Sequence, residues 1–282
     1  MPEGHTIHRI ARDHAPLLVG RRVSASSPQG RFAAGASILD GLVLARIEAY
    51  GKHLFHWYAD GVLLHVHLGL YGKWTVGRGE PPTPRGALRL RLTTGEAWFD
   101  LRGPIACEVI GPEERELVLT RLGPDPLRRD ADPARAFARI TRSRVALGQL
   151  LMDQSVLAGI GNVYRAEVLY RAGLSPFLPG RELEPERWAD LWPDLRALLR
   201  AGVRSGRIVT TEREDRDRRT GRPRREDSHY VYRRTGLPCR RCGTPVRTQV
   251  MTGRNLFWCP TCQGDPAPPQ GAGMRPSARS SP

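Results

Sequence analysis

Two pairs of closely spaced cysteines near the carboxyl end of the chain constrain its fold more than any other feature. Each pair has the spacing C-x2-C, and sixteen residues separate the two pairs. Thiolates are the ligands that zinc prefers, and two such knuckles joined by a hairpin close a tetrahedral structural site. A redox dithiol is the weaker alternative, because four thiolates leave no open position. We therefore predict a zinc-ribbon hairpin that binds one structural Zn²⁺ through Cys239, Cys242, Cys259 and Cys262.

The charge balance of the chain indicates a polyanionic partner. Lys plus Arg number 44 and Asp plus Glu number 29, which gives a net charge of +15 and an isoelectric point near 10.6. Such a surface attracts nucleic acid before other partners. A compositional bias towards arginine is the alternative explanation, but it accounts for arginine in place of lysine and not for the scarcity of acidic residues. The only lysines are Lys52 and Lys73.

Length and composition favour a soluble globular protein. The 282 residues suffice for one large domain or two ordinary ones. No apolar run approaches the roughly 18 residues of a transmembrane helix. The first twenty residues contain several histidines and arginines, so no signal peptide is expected there. We expect a cytoplasmic monomer without a membrane partner.

The first half of the chain has the pattern of a β-rich domain. Apolar residues from Ile7 to Leu18 recur at helical spacing, with Thr6 as a possible cap and Gly20 as a stop. We take residues 2–122 as one domain and the proline-rich stretch 123–133 as a linker. Strands at short, regular spacing are typical of a β-sandwich or barrel. Apolar runs separated by glycine and proline predict these strands at 42–50, 52–58, 62–68, 87–93 and 96–101.

The second half of the chain has helical patterns, so the predicted fold class is α+β. Residues 212–228 are nearly all charged and should form a mobile surface loop. We assign a helical domain to 134–236, the zinc hairpin to 237–263 and a disordered tail to 264–282. The patterns predict helices over 134–140, 145–153, 161–172 and 187–203, the last with Pro185 at its start and Pro193 as a possible kink or division.

The segment 153–162, with the sequence DQSVLAGIGN, is a candidate phosphate site. Its glycines would let the backbone approach an anion at a helix N-terminus, where Asn162 would add a side-chain donor. From spacing alone, a plain helix–helix turn with Asn162 as the cap is the favoured interpretation.

Four histidines, at positions 53, 56, 65 and 67, raise the alternative of a metal cluster. His65 and His67 share one face of a predicted strand. No further ligand is indicated, so histidines with ordinary hydrogen-bond partners are favoured. Cys107 is most simply a small buried residue.

The start of the chain, Met1-Pro2-Glu3, offers a nucleophile. Removal of Met1 is expected before proline and leaves a secondary amine beside a carboxylate. Roughly a tenth of an α-amino group with a pKa near ~8 is free base at neutral pH, against under ~0.1% of an ordinary lysine. Such an amine can attack a sugar carbon and form an iminium intermediate.

Together these segments resemble the formamidopyrimidine-DNA glycosylase/endonuclease VIII (Fpg/Nei) family. The resemblance runs in order from residue 2 to about 263. The Fpg branch usually starts PELPE, so the start PEG makes the chain most similar to the actinobacterial Nei branch. The matching motifs are PEGHT, the Gly51–Lys52 strand, LLMDQSVLAGIGNVYRAEVL and GRNLFWCPTCQ.

The resemblance implies a β-sandwich domain with an N-terminal helix, a helix–two-turn–helix module and a zinc finger, with double-stranded DNA between the domains. It implies a bifunctional DNA glycosylase/AP lyase of base-excision repair that flips the damaged nucleotide out of the duplex. By the family's motifs, Pro2 is the nucleophile, Glu3 the acid/base, and Lys52 binds the phosphate next to the lesion. Asn162 matches a residue that holds the phosphates of the damaged strand, as does Arg254, which we group with the catalytic residues.

The sequence departs from the family where Nei proteins place a void-filling triad. Gly69, Leu70 and Tyr71 stand there, and Gly69 cannot fill space as a longer polar side chain would. Leu70 and Tyr71 can still wedge into the base stack. We also expect Arg102 to contact DNA.

Two further departures concern the damaged base. Thr6 replaces an acidic residue common near the start, and residues 212–228 share no evident motif with the loop that captures the base in the Fpg branch. We expect removal of oxidised bases, pyrimidines favoured, with β,δ-elimination by a nucleoid-associated enzyme. The alternatives are an Fpg-like glycosylase for oxidised purines and a catalytically inactive protein that binds damaged DNA.

Overall fold

The computed structural model describes residues 2–265. Met1 and the part of the predicted disordered tail beyond Asp265 lie outside the described residues. In chain order the first half forms α1 (Gly4–Leu18), β1 (Ser24–Ser26), α2 (Ala33–Leu39), β2 (Leu44–Tyr50), β3 (His53–Tyr58), β4 (Leu63–His67), β5 (Lys73–Arg78), β6 (Leu88–Thr93), β7 (Ala97–Arg102), β8 (Ala106–Ile110) and α3 (Pro112–Thr120).

The eight strands form two four-stranded antiparallel sheets, ordered β1-β6-β7-β5 and β2-β3-β4-β8. Their inner faces share one core, to which Leu64 and Val66 contribute from one sheet and Leu92 and Phe99 from the other. Buried Ile7 attaches α1 to this core. The domain is therefore a β-sandwich and not a closed barrel. Together with the helices of the second half, it confirms the predicted α+β class.

The second half of the chain contains the helices and the hairpin. One apolar core joins the helices, because the buried faces of α4, α6 and α7 meet there. No helix among residues 2–265 combines the length and the apolar character needed to cross a bilayer. The elements are α4 (Pro133–Thr141), α5 (Leu147–Leu150), α6 (Asn162–Arg171), α7 (Pro185–Ser205), β9 (Arg247–Met251), β10 (Arg254–Trp258) and α8 (Pro260–Gln263).

Three helix predictions need correction. The helix predicted over 145–153 is reduced to the single turn α5, Leu147–Leu150. Helix α1 begins at Gly4 with Glu3 at the N-cap position, so Thr6 lies inside the helix and is not its cap. Helix α7 is not divided at Pro193, which lies inside it. Pro193 has no N–H to donate to the carbonyl of Ala189, one turn earlier. Both residues are exposed, so water can solvate that carbonyl.

The charged segment 212–228 has an exposed middle and an anchored end. Asp227 is buried and pairs with Arg240 at 3.3 Å, while Thr211 donates a hydrogen bond to the Asp227 carbonyl. Residues 218–222 are exposed. The prediction of a surface loop therefore describes the middle of the segment and not its C-terminal end.

Candidate active site

Three separate segments meet where α1 begins. The backbone N–H of Gly4 donates to the carbonyl of Gly159, in the loop before α6, at 2.8 Å. The turn between β2 and β3 presents Lys52, and the N–H of Gly51 in this turn donates to buried Asp125 at 2.7 Å. These three segments, together with Asp125 of the predicted linker, therefore build one site.

The Glu3 side chain lies at the N-terminus of α6. It is fully buried, and its two oxygens accept hydrogen bonds of 2.9 Å from the backbone N–H groups of Gly161 and Val163. A Cβ on Gly161 would lie 2.5 Å from the Glu3 carboxyl carbon, so only glycine permits this approach. These amides are among those that a helix leaves unpaired at its start, and a carboxylate is the ligand they favour.

Burial and charge act in opposite directions on the ionisable groups of this site. Burial raises the pKa of Glu3, while the Lys52 ammonium and the backbone N–H groups of Val163 and Gly161 lower it by less. Burial lowers the pKa of Lys52, and the nearby Glu3 carboxylate opposes that change. Glu3 therefore holds its proton to a higher pH than a carboxyl group in water, and Lys52 loses its proton at a lower pH than a lysine in water.

Lys52 and Arg254 form an unneutralised positive pair. They lie close enough for the Arg254 charge to lower the pKa of Lys52. Arg254 begins β10 at the tip of the hairpin. Within residues 2–265, neither side chain has an ion-pair or hydrogen-bond partner at its charged end. Two half-buried cations without partners are suited to an anion such as a phosphate.

Asn162 connects α6 to the hairpin. Its Nδ2 donates to the carbonyl of Asn255 at 2.9 Å, and its Oδ1 accepts from the guanidinium of Arg165. Arg165 is fully buried, and burial lowers its pKa to about 10. This contact holds the neighbouring Arg254 near the start of α6. The predicted phosphate contact of Asn162 would have to use the second N–H of its amide.

A cavity of about 520 Å³ opens beside Pro2. Thr6 and Arg9 of α1 line one side, and Lys73 and Trp74 of β5 line the other. Its walls combine apolar and polar groups, as is typical of small-molecule sites. Pro2 thus borders the open cavity, whereas the Glu3 side chain is buried at the start of α6.

The predicted wedge residues lie in the loop between β4 and β5. Tyr71 is 88% exposed, the largest fraction of any large apolar side chain in the described residues, and Leu70 is partly exposed. Gly69 has φ of +64°, and a Cβ there would lie 2.5 Å from Ile105. Ile105, which is 71% exposed, therefore supplies apolar bulk beside Gly69, and the sequence analysis missed it.

Arg102 lies opposite Lys73 of β5 in the strand register. At the end of β7 its guanidinium donates to buried Asp100 at 2.8 Å. Part of its hydrogen-bonding capacity is therefore used inside the first sheet.

The four cysteines of the hairpin come together. All four sulfur atoms lie within 4.8 Å of one another. The Cys239–Cys262 pair is separated by 3.8 Å and the Cys242–Cys259 pair by 3.4 Å. A Zn–S distance of about 2.3 Å gives a tetrahedron with S–S edges of about 3.8 Å, so the donor set fits zinc. No other cluster of this kind occurs among residues 2–265, so the four histidines form no metal cluster there.

Asp125 joins the β2–β3 turn to α1, a role that the sequence did not indicate. Its carboxylate accepts from Gly51 and, at 2.7 Å, from His8 of α1. An acidic residue between two prolines gives no signal of contacts so distant in sequence. Residues 123–133 include this junction and are therefore more than a spacer.

Three family models match consecutive parts of the chain. They are the formamidopyrimidine-DNA glycosylase N-terminal domain over residues 1–104, the formamidopyrimidine-DNA glycosylase H2TH domain over 122–214, and the zinc finger found in FPG and IleRS over 236–264.

Similar proteins cover nearly the whole chain. Endonuclease 8 1 of Mycobacterium tuberculosis is 51% identical over 268 residues, which are 93% of this chain and 100% of that protein. Probable endonuclease 8 2 of Streptomyces coelicolor is 35% identical over 98% of this chain and 99% of that protein. The solved MutM (Fpg) structure from Thermus thermophilus matches with a TM-score of 0.75 and 31% identity, covering 94% of this chain and 100% of that one.

The fold and these matches define a DNA glycosylase with AP lyase activity of base-excision repair. The chain belongs to the formamidopyrimidine-DNA glycosylase/endonuclease 8 family. The predicted similarity to the actinobacterial endonuclease 8 branch is confirmed by the Mycobacterium and Streptomyces relatives.

Proposed function

We propose that this enzyme removes oxidised pyrimidines from double-stranded DNA and cleaves the resulting AP site through a Schiff base on Pro2. The observation that carries the proposal is the position of Glu3. Its buried carboxylate, whose pKa is raised, directly follows the residue that bears the amine and lies within electrostatic range of Lys52. This arrangement supplies a nucleophile, a proton donor and a phosphate site from neighbouring groups.

Pro2 is the nucleophile. After removal of Met1, its neutral secondary amine attacks C1′ of the damaged nucleotide. The base leaves with the electron pair of its bond to C1′, and the Pro2 nitrogen loses its proton. Opening of the sugar ring moves the C1′–O4′ electron pair onto O4′ and leaves an iminium that joins C1′ to the Pro2 nitrogen. The iminium acidifies the C2′ proton, whose loss expels the 3′ phosphate. A second elimination expels the 5′ phosphate, and hydrolysis releases Pro2.

Glu3 is the acid/base. Its burial favours the protonated form, which can give a proton to O4′ as the ring opens. The amides of Gly161 and Val163 then stabilise the carboxylate that remains. The site therefore accommodates both protonation states of one residue, as acid/base work requires.

Lys52, Arg254 and Asn162 hold the backbone phosphates of the damaged strand. Exposed Tyr71 and partly exposed Leu70 enter the base stack where the nucleotide leaves it. Arg102 contacts DNA only through the N–H groups that its ion pair with Asp100 leaves free. The zinc site is structural and holds one Zn²⁺. We propose a monomer that works on DNA in the cytoplasm, associated with the nucleoid.

The preference for pyrimidines rests on segment 212–228. Ordering the exposed, charged residues 218–222 over a purine would cost roughly 1–2 kcal/mol per residue in backbone entropy. An Fpg-like preference for oxidised purines is the second candidate, since relatives at 35% identity carry the Fpg name.

Single-turnover excision on matched duplexes tests the preference. We expect thymine glycol and dihydrouracil to leave faster than 8-oxoguanine opposite cytosine. Replacing residues 218–222 by Gly and Ser at equal length, which spares the anchoring Asp227, should change pyrimidine excision by less than about threefold, or ~0.7 kcal/mol. Fastest release of 8-oxoguanine would support the purine candidate instead.

A further inference from the structure

A line of hydrogen bonds crosses the outer face of the sheet that contains β3, β4 and β8. His53 Nδ1 lies 2.8 Å from His65 Nε2, and His65 Nδ1 lies 2.8 Å from Glu108 Oε1. The strand register places His65 opposite Glu108 and His53 diagonal to His65. His65 is buried and Glu108 is half exposed, so the line runs from solvent into the sheet and ends at His53, the residue that follows Lys52 in the chain.

The direction of these bonds fixes the tautomer of each imidazole. The Glu108 carboxylate can only accept, so His65 carries its proton on Nδ1. Neutral His65 then offers a lone pair at Nε2, and His53 must donate to it from Nδ1. His53 is therefore left with an unprotonated Nε2. That atom has no hydrogen-bond partner within residues 2–265 and is not among the atoms closed off from solvent.

The neighbouring His67 has the opposite tautomer. Its Nδ1 accepts from the N–H of Gly69 at 3.1 Å, so its Nε2 carries the proton. Burial lowers the pKa of His53 to about 3 and that of His67 to about 4, and the Lys52 charge contributes to both changes. Both rings are thus neutral at pH 7, and His53 is the one of the two that offers Lys52 a lone pair.

We propose that Glu108 and His65 orient His53 so that its Nε2 accepts a hydrogen bond from the Lys52 ammonium when DNA is bound. His53 is a positioning residue, because it acts on the substrate through Lys52. The second and third N–H groups of the ammonium remain for the phosphate. The inference rests on the proposed function of Lys52 as the phosphate ligand beside the lesion.

Two amide substitutions test the two nitrogen atoms of the His53 ring separately. His53→Gln places an amide oxygen near the position of Nε2 and loses the bond to His65, whereas His53→Asn keeps a donor near Nδ1 and loses the acceptor. We expect the AP lyase kcat of His53→Asn to fall by about tenfold, as for a lost hydrogen bond to a charged group. His53→Gln should stay within about threefold of the parent enzyme. Equal rates in the two variants would overturn the proposal.

The pH profile distinguishes this role from a merely structural one. An acceptor favours the charged form of Lys52, so its loss lowers the pKa of that residue. The alkaline limb of kcat/KM should therefore move to lower pH in His53→Asn, by about one unit, and stay in place in His53→Gln. An unmoved limb in His53→Asn would contradict the assignment.

Nitrogen NMR of ¹⁵N-histidine-labelled protein tests the tautomer directly. The parent protein should show His53 protonated at Nδ1, and Glu108→Ala should shift it towards the Nε2 form, while Glu108→Gln, which keeps an acceptor, should not. An Nε2-protonated His53 in the parent protein would overturn the inference. Failure of the parent enzyme to cleave AP-site DNA would instead count against the proposed function.

Discussion

The side-chain carboxylate of Glu3 accepts a hydrogen bond of 2.9 Å from the backbone N–H of Val163, which lies 160 positions further along the chain. The contact joins the first residues of the β-sandwich domain to the first turn of α6. Glu3, which we propose as the acid/base, therefore also caps α6, the helix that carries Asn162. Domain packing and chemistry therefore depend on the same side chain.

Replacing Gly161 by Ala should separate Glu3 from α6. A Cβ there would lie 2.5 Å from the Glu3 carboxyl carbon, so the side chain must move. We expect a loss of about 1–3 kcal/mol of stability from overpacking. Base excision should fall on the order of 10²-fold, as for a reacting group misplaced by about 1 Å.

Gly95→Ala is the matched control, because a Cβ at Gly95 meets nothing within 4 Å. Urea unfolding and single-turnover excision measure the two effects. Excision at the parental rate in Gly161→Ala would show that the contact between Glu3 and α6 does not set activity.

The sequence predicted those parts of the fold whose signal is local. Strands β2, β3 and β4 and helices α4, α6 and α7 have regular apolar patterns, and the four cysteines follow their spacing. Strand β5 was missed because no residue in it is fully buried and only two apolar residues, Trp74 and Val76, alternate in it. Similarly, β1, β8, α2 and α3 are short or half exposed, and their patterns are weak.

The sequence indicated which residues belong to the site but not which contacts they make. The resemblance singled out Glu3 and Lys52, but the cap of α6 by Glu3 and the anchor of Gly51 by Asp125 join residues far apart in sequence. Such contacts arise from tertiary packing, which periodicity does not encode. The fixed tautomer of His53 depends in the same way on a residue two strands away.

Arg254→Ala should weaken DNA binding for all sequences alike. Removing one phosphate contact lowers the slope of log Kd against log salt by about one. Arg247→Ala is the control on the same hairpin, because Arg247 pairs with Asp265 at 2.6 Å and lies at the other end of the strand pair. An Arg254→Ala protein with unchanged affinity and salt slope would show that the hairpin tip does not touch DNA.

Cys242→Ser should lower zinc content and DNA affinity together. The metal stabilises the hairpin, and the hairpin holds Arg254 beside Lys52. Cys107→Ser, outside the cluster, should leave both quantities unchanged. Metal analysis and binding titration on the same samples test this, and full DNA binding by a zinc-free protein would contradict it.

His56 should make the fold sensitive to acid. It is fully buried, and burial lowers its pKa to about 3, whereas an unfolded histidine titrates near ~6.5. Below pH ~6.5 the unfolded chain binds a proton that the folded protein refuses, so stability falls as pH falls towards 3. The loss from this residue is about 2 kcal/mol between pH 7 and pH 5.

Urea unfolding at pH 7 and pH 5 measures this contribution. In His56→Gln the drop in the free energy of unfolding between these pH values should be smaller by that amount. Buried His14, whose pKa burial lowers to about 4, continues to contribute in both proteins. An identical drop in the variant and the parent would mean that His56 does not remain neutral in the folded state.

Borohydride trapping on AP-site DNA tests the central claim most directly. If the Pro2 amine is the nucleophile, reduction of the iminium should join protein to DNA, and peptide mapping should place the adduct at residue 2. A variant that retains Met1 or carries an N-terminal extension should not be trapped, although it should still bind DNA. An adduct mapped to Lys52 or Lys73, or efficient trapping of the extended protein, would contradict the account.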